Sequence, residues 1–149
     1  MITYQEESWS AILKEALPLF KIHWEELDKG YHPELDIDFE TYSNLEKAKI
    51  LTVVTARDNS KLIGYSVNLV SPSLHFKKTK QSFADFFFIL KDYRKGFVGI
   101  KLFKEVEKVL KNKDVERIHM GSRVNLSLSS LFKKLGYTPY EEVYFKDLK

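Results

Sequence analysis

The sequence contains no cysteine. Disulfides, thiolate metal sites and a cysteine nucleophile are therefore excluded. Histidine is sparse: His23, His32, His75 and His119 stand too far apart for a local zinc motif, so no metal is expected. No apolar run approaches a membrane span. Met1 to Glu7 lacks the basic and apolar regions of a signal peptide, so the expected location is cytoplasmic, with no membrane partner. Repeats, low-complexity tracts and linkers are also missing. A strong charge of one sign is absent too: 24 basic and 21 acidic residues leave a net +3. That argues against nucleic acid, whose binders concentrate far more positive charge on one face. The lysines cluster within 76–80 and 101–113, which reads either as solvated surface or as attraction for a polyanionic cofactor or substrate.

What is present fits one domain spanning 1–149. Apolar residues (44%) and charged residues (30%) are in ordinary globular proportion, and 14% aromatics allow a core of large side chains. Ile2 to Gln5 reads as a short strand. Ser8 to Asp28 shows helical spacing, with Trp9, Ile12, Leu13, Ala16, Leu17, Phe20, Trp24 and Leu27 on one stripe. Pro18 predicts a kink or two shorter helices, and Gly30 with Pro33 predicts the end. Tyr31 to Asp38 reads as a loop, followed by a second helix with Phe39, Tyr42 and Leu45 on one side. Ile50 to Arg57 and Lys61 to Val70 read as strands of a hairpin turning at Asp58-Asn59-Ser60.

Ser82 to Leu90 carries four phenylalanines and reads as a strand buried on both faces. A charged turn leads to a helix from Phe97 to Leu110 with Phe97, Ile100, Leu102, Phe103, Val106 and Leu110 largely inward. Val115 to Met120 reads as a strand, Leu126 to Leu135 as a helix stopped by Gly136, and Val143 to Phe145 as a last strand. Strands and helices in this order predict an α/β domain with a mixed sheet.

The informative stretch is Ser82 to Phe103. A hydrophobic strand runs into a basic, glycine-containing turn at which a helix begins. Free backbone N–H groups and the positive helix end then meet at the strand exit, an anion site suited to a pyrophosphate. Gly96 and Gly99 let the backbone approach a ligand closely, and Arg94 and Lys95 add charge. A tight strand-to-helix turn with packing glycines is the simpler alternative.

The turn Tyr93-Arg94-Lys95-Gly96-Phe97-Val98-Gly99 resembles the acetyl-CoA loop of the GNAT superfamily, (Arg/Gln)-x-x-Gly-x-(Gly/Ala). Arg94 and Gly99 match; Phe97 stands where the middle glycine is usual, and Gly96 comes one residue early. Asn125, Leu131-Phe132 and Gly136-Tyr137 resemble the second signature, with Phe132 replacing a tyrosine that often protonates the departing thiolate. The whole pattern, including His23-Trp24-Glu25-Glu26 and Leu74-His75-Phe76, is similar to members often found in bacteriophage genomes.

The resemblance implies a mostly antiparallel mixed sheet flanked by helices and splayed at its fourth and fifth strands. It implies acetyl-CoA as donor, held by Arg94, Lys95, Gly96, Phe97, Val98, Gly99 and Ile100, by backbone groups of Ile89 and Leu90, and by Asn125 and Phe132. It also implies direct transfer of the acetyl group to an amine of a small molecule or protein. Many members are dimers, and a homodimer is compatible with the chain.

Asp85, on the strand beside the thioester, is the first candidate base. Flanking phenylalanines would desolvate it and raise its pKa; a structural aspartate bonded to backbone amides is the alternative. His23 and Glu26 share a helix face bordering the acceptor cleft and form a second catalytic pair, or else a core-edge histidine beside a solvated acid. His75 and Tyr65 are candidate acceptor contacts, against a plain loop residue and a core residue respectively. A catalytically inactive module of the same fold, gripping a partner protein, is the competing functional class.

Overall fold

The computed structural model describes residues 1–27 and 34–149. The expectations resting on Asp28, Gly30, His32 and Pro33, and the first part of the Tyr31 to Asp38 loop, lie outside the described residues. The strands are β1 (Ile2–Glu7), β2 (Leu51–Asp58), β3 (Lys61–Pro72), β4 (Lys80–Ile89) and β5 (Arg117–His119). The helices are α1 (Trp9–Leu27), α2 (Phe39–Lys47), α3 (Val98–Asn112) and α4 (Ser129–Lys134), with a short 3-10 turn at Lys91–Tyr93. One five-stranded sheet runs in the order β1-β2-β3-β4-β5. The first four strands pair antiparallel, and β5 pairs parallel to β4.

Two apolar layers cover the sheet. On one side α1 packs Trp9, Ile12, Ala16, Leu19 and Phe20 against Val53, Tyr65, Val67 and Phe88. On the other, α3 packs Leu102, Val106, Val109 and Leu110 against Val54, Ala56 and Ile63. Arg57 on β2 ties α1 to the sheet by donating from Nε to Glu7 at 2.8 Å and from Nη atoms to Glu15 at 3.0 Å. The β2–β3 hairpin turns where expected: Asn59 and Ser60 both take positive φ, 46° and 72°, which matches the twist of the flanking strands. Among the described residues no helix is long and apolar enough to cross a membrane, and no group of three or more His, Asp or Glu could hold a metal ion.

Four expectations are corrected. Of the two outcomes expected at Pro18, two shorter helices is overturned, since the first helix is a single element. Pro18 lies on the exposed side, so the carbonyl that loses its helical partner there is solvated. Its buried stripe takes Leu19 and His23 and leaves Leu17 exposed. Phe97 does not face inward: it is the N-cap residue of α3 and is 69% exposed, because it precedes the first helical turn. Val143 to Phe145 forms no strand and stays exposed, so the local strand preference of these residues is overridden. Finally, β4 is not buried on both faces. Only Ser82 and Phe88 are buried, because β5 accompanies the strand for three residues and then leaves it.

Candidate active site

That departure creates the site. β4 pairs with β3 from Lys80 to Ile89, but with β5 only over Gln81, Ser82 and Phe83. Beyond Phe83 the edge facing β5 carries backbone groups with no strand partner. Leu90 donates its N–H to the Ile63 carbonyl at 2.9 Å and is therefore turned toward β3. Alternation along the strand then places the groups of Ile89 and Phe87, not those of Leu90, on the open edge. The expectation for Leu90 is corrected accordingly.

A bulge sits at the mouth of the opening. Val67 pairs with Phe86 and Asn68 with Ala84, so Asp85 is the extra residue. A bulge re-aims side chains, and here Asp85 and Phe86 both reach toward α2. Tyr42 donates its hydroxyl to Asp85 Oδ2 at 2.5 Å and meets the Phe86 ring edge-on. Asp85 is exposed, so the desolvation expected from its phenylalanine neighbours does not occur: the bulge turns the carboxylate out of the aromatic layer. Burial and the Asp85 carboxylate push the Tyr42 phenol well above its ordinary range, so it stays protonated as a donor.

At the other end of β4, the chain turns through Lys91–Tyr93 into α3. The first backbone bond of α3 is Lys101 N–H to Phe97 O, and Phe97 offers no side-chain cap. The amides of the first turn are thus available to an anion. Gly96 adopts φ +72°, a region glycine enters without strain, which explains why the glycine stands one residue earlier than in the family loop. Lys95, Gly96 and Phe97 are exposed; Val98, Gly99 and Ile100 are half-buried.

Arg94 does not project freely into this turn. Its Nε donates to the Ile89 carbonyl at 2.7 Å and an Nη atom to Glu26 at 2.6 Å, with the guanidinium 5.2 Å over the Phe88 ring. One side chain thereby joins the open edge of β4, the loop and the last turn of α1. Glu26 is consequently partnered by Arg94. His23, one turn earlier, goes elsewhere: Nδ1 lies 3.0 Å from the Tyr65 hydroxyl, and the imidazole stacks on Phe88 with centroids 4.7 Å apart. The expected His23–Glu26 pair is divided between two networks.

Burial lowers the His23 pKa to about 4; Glu26 acts in the opposite sense, and Arg123 and Arg94 add to the lowering. His23 is neutral at pH 7 and belongs to the core edge. Tyr65 is fully buried, which raises its phenol, so it is a core residue rather than a cleft contact. A stability consequence follows. The unfolded chain protonates His23 near its ordinary value of 6.5 while the folded chain resists until about 4. The folded state is therefore favoured fully above pH 6.5 and loses that advantage as pH falls toward 4. Between pH 7 and pH 5 the loss is about 2 kcal/mol. Urea unfolding of the parent and of His23→Gln at both pH values should show that extra loss in the parent only.

The remaining candidates lie apart. His75 is exposed in the β3–β4 loop, at the end of β4 remote from the N-terminus of α3. Asn125 does not open a helix. It sits in a turn bridged by Arg123 and Leu126, and α4 begins at Ser129, where Ser122 Oγ and Ser127 Oγ accept the amides of Leu128 and Ser129. Phe132 is buried against Phe87 and Phe103, so it packs α4 on the sheet and offers no hydroxyl. Sequence reasoning missed Tyr42, named only for its helix face, and His119, which stacks on Phe83 across the β4–β5 pair. Nothing local marks either residue.

This arrangement has counterparts. A ribosomal-protein-alanine N-acetyltransferase from Brucella melitensis biovar Abortus 2308 superposes with a TM-score of 0.76 at 13% identity, covering 100% of both chains. A predicted acetyltransferase from Clostridium acetobutylicum, solved with acetyl-CoA, gives 0.73 at 16% identity over 99% of this chain and 97% of that one. An aminoglycoside acetyltransferase from an uncultured soil metagenomic sample, in complex with sisomicin, gives 0.76 at 13% identity over 99% and 97%. At these identities the likeness shows the fold. No curated protein sequence matches the chain significantly. The sequence model of the Acetyltransferase (GNAT) family matches residues 16–137, taking in the latter part of α1, the splayed strand, the turn and α4, and the chain therefore belongs to the GNAT family of acetyltransferases.

Proposed function

We propose that the protein is an acetyl-CoA-dependent N-acetyltransferase acting on an amine. The observation that carries this reading is the continuous path from the bulge at Asp85, along the open edge of β4, to the uncapped N-terminus of α3. A long ligand with an anionic end fits that path: its phosphates meet the helix amides and its extended arm lies along the strand edge. Acetyl-CoA supplies the activated acyl group, as a thioester that a neutral amine attacks directly.

In this reading the amides at Gly96 to Ile100 hold the pyrophosphate, with Lys95 and Lys101 adding positive field. The open-edge groups of Phe87 and Ile89 pair with the arm, and Arg94 moves from the Ile89 carbonyl toward phosphate. Asp85, fixed through Oδ2 by Tyr42, orients the amine and takes its proton through Oδ1 as the nitrogen–carbon bond forms. Positioning of both reactants supplies much of the acceleration. The thiolate that leaves is protonated by water, since Phe132 has no proton to give. That missing hydroxyl is the observation favouring a second reading, an inactive binding module of the same fold.

Calorimetric titration with acetyl-CoA, with dephosphorylated adenosine as control, tests the first reading. Stoichiometric binding of acetyl-CoA, together with thiol release on adding amines, is the expected result. No binding by the folded protein would overturn it in favour of the module.

A further inference from the structure

The α1/α2 side of the splay holds more than Asp85. Phe83 and Asp85 lie two residues apart on β4 and project to that same side, about 6–7 Å from each other along the strand. Phe83 is 45% exposed. Its register partner on β5, His119, lies flat against it, with ring centroids 4.2 Å apart and planes 6° from parallel. Gln81 Oε1, 3.0 Å from His119 Nε2, fixes the plane of the imidazole, and the Tyr140 ring stands edge-on to it at 5.8 Å. Tyr140 is itself 73% exposed. A parallel ring pair held by a hydrogen bond, with Phe83 open to solvent, presents a preformed aromatic surface of ring edges and outer faces beside a carboxylate.

We propose that Phe83, His119 and Asp85 form the acceptor subsite, and that it takes a primary amine borne on a short arm from an aromatic body. The ammonium group meets Asp85 before losing its proton, and the ring lies on the Phe83–His119 surface with Tyr140 at its rim. A two-carbon arm matches the spacing of the two features. The subsite as defined holds one carboxylate, Asp85, and so offers one place for an ammonium group. The inference rests on the acetyltransferase reading for the place of the reacting nitrogen.

The test is calorimetric titration of the CoA-bound protein with 2-phenylethylamine, butylamine and spermidine, on the parent and on Phe83→Ala and His119→Ala. Thiol release from acetyl-CoA is followed in parallel. Phenylethylamine is expected to bind the parent at least tenfold more tightly than either aliphatic amine. Phe83→Ala should erase that preference and His119→Ala should reduce it severalfold, while acetyl-CoA affinity stays the same in both. Equal binding of the three amines, no binding of any, tighter binding of spermidine, or a preference that survives Phe83→Ala would each overturn the inference. Selective binding without thiol release would uphold the subsite and count against the acetyltransferase reading alone.

Discussion

Gly99→Val is expected to fold like the parent and to bind acetyl-CoA about a hundredfold more weakly, on the loss of some 3 kcal/mol of charge-assisted hydrogen bonding. Gly99 is the second residue of α3, where the free amides converge. A Cβ built there would come 3.7 Å from Ile89 Cδ1, an ordinary contact, so the fold itself does not demand the glycine. Glycine is also the poorer helix former, so α3 is not weakened by the change. What the side chain obstructs is the approach of phosphate oxygens to the amides. Thermal unfolding verifies the fold and calorimetry reads the affinity. A folded variant that binds acetyl-CoA as well as the parent would remove the turn from the ligand path.

Asp85→Asn should lower kcat by about 10²–10⁴-fold, the usual contribution of a positioned general base, and leave acetyl-CoA affinity unchanged. An asparagine oxygen can still accept from the Tyr42 hydroxyl, so the bulge and the α2 contact persist while the proton acceptor is lost. The asymmetry is informative: a merely structural aspartate would show up in stability, and a cofactor contact would show up in binding. Turnover equal to the parent across the pH range would exclude Asp85 as the base.

Much of the scaffold was legible because it is locally encoded. The stripe Leu102, Phe103, Val106, Leu110 repeats at helical spacing and buries as one face of α3. The residues Asn59 and Ser60 tolerate the backbone the hairpin turn requires. The strand, glycine and helix order from Ser82 to Phe103 placed the turn correctly. What escaped was set by partners distant in sequence. Asp85 looked buried among phenylalanines; a one-residue bulge against β3 turned it outward to a tyrosine on another helix. His23 and Glu26 looked like a pair, yet packing on Phe88 claimed one and Arg94 the other. His119 is held in place through Gln81 and Phe83 on the neighbouring strand, which no periodicity reveals. Val143 to Phe145 shows the reverse error, in which local strand preference was not followed by strand pairing.

The Arg94 side chain touches the first helix, the end of β4 and the loop at once. A phosphate that draws the guanidinium away must loosen Glu26, and a cation that draws Glu26 away must in turn make Arg94 more available to phosphate. Thermodynamic reciprocity requires the two effects to be equal in size. Under the proposed function, the phosphate end of the donor and the last turn of the first helix are linked through a single guanidinium. Constants measured for one ligand alone would then differ from those measured with both present, and a double-mutant cycle on Glu26 and Arg94, run with each ligand present and absent, reads the coupling.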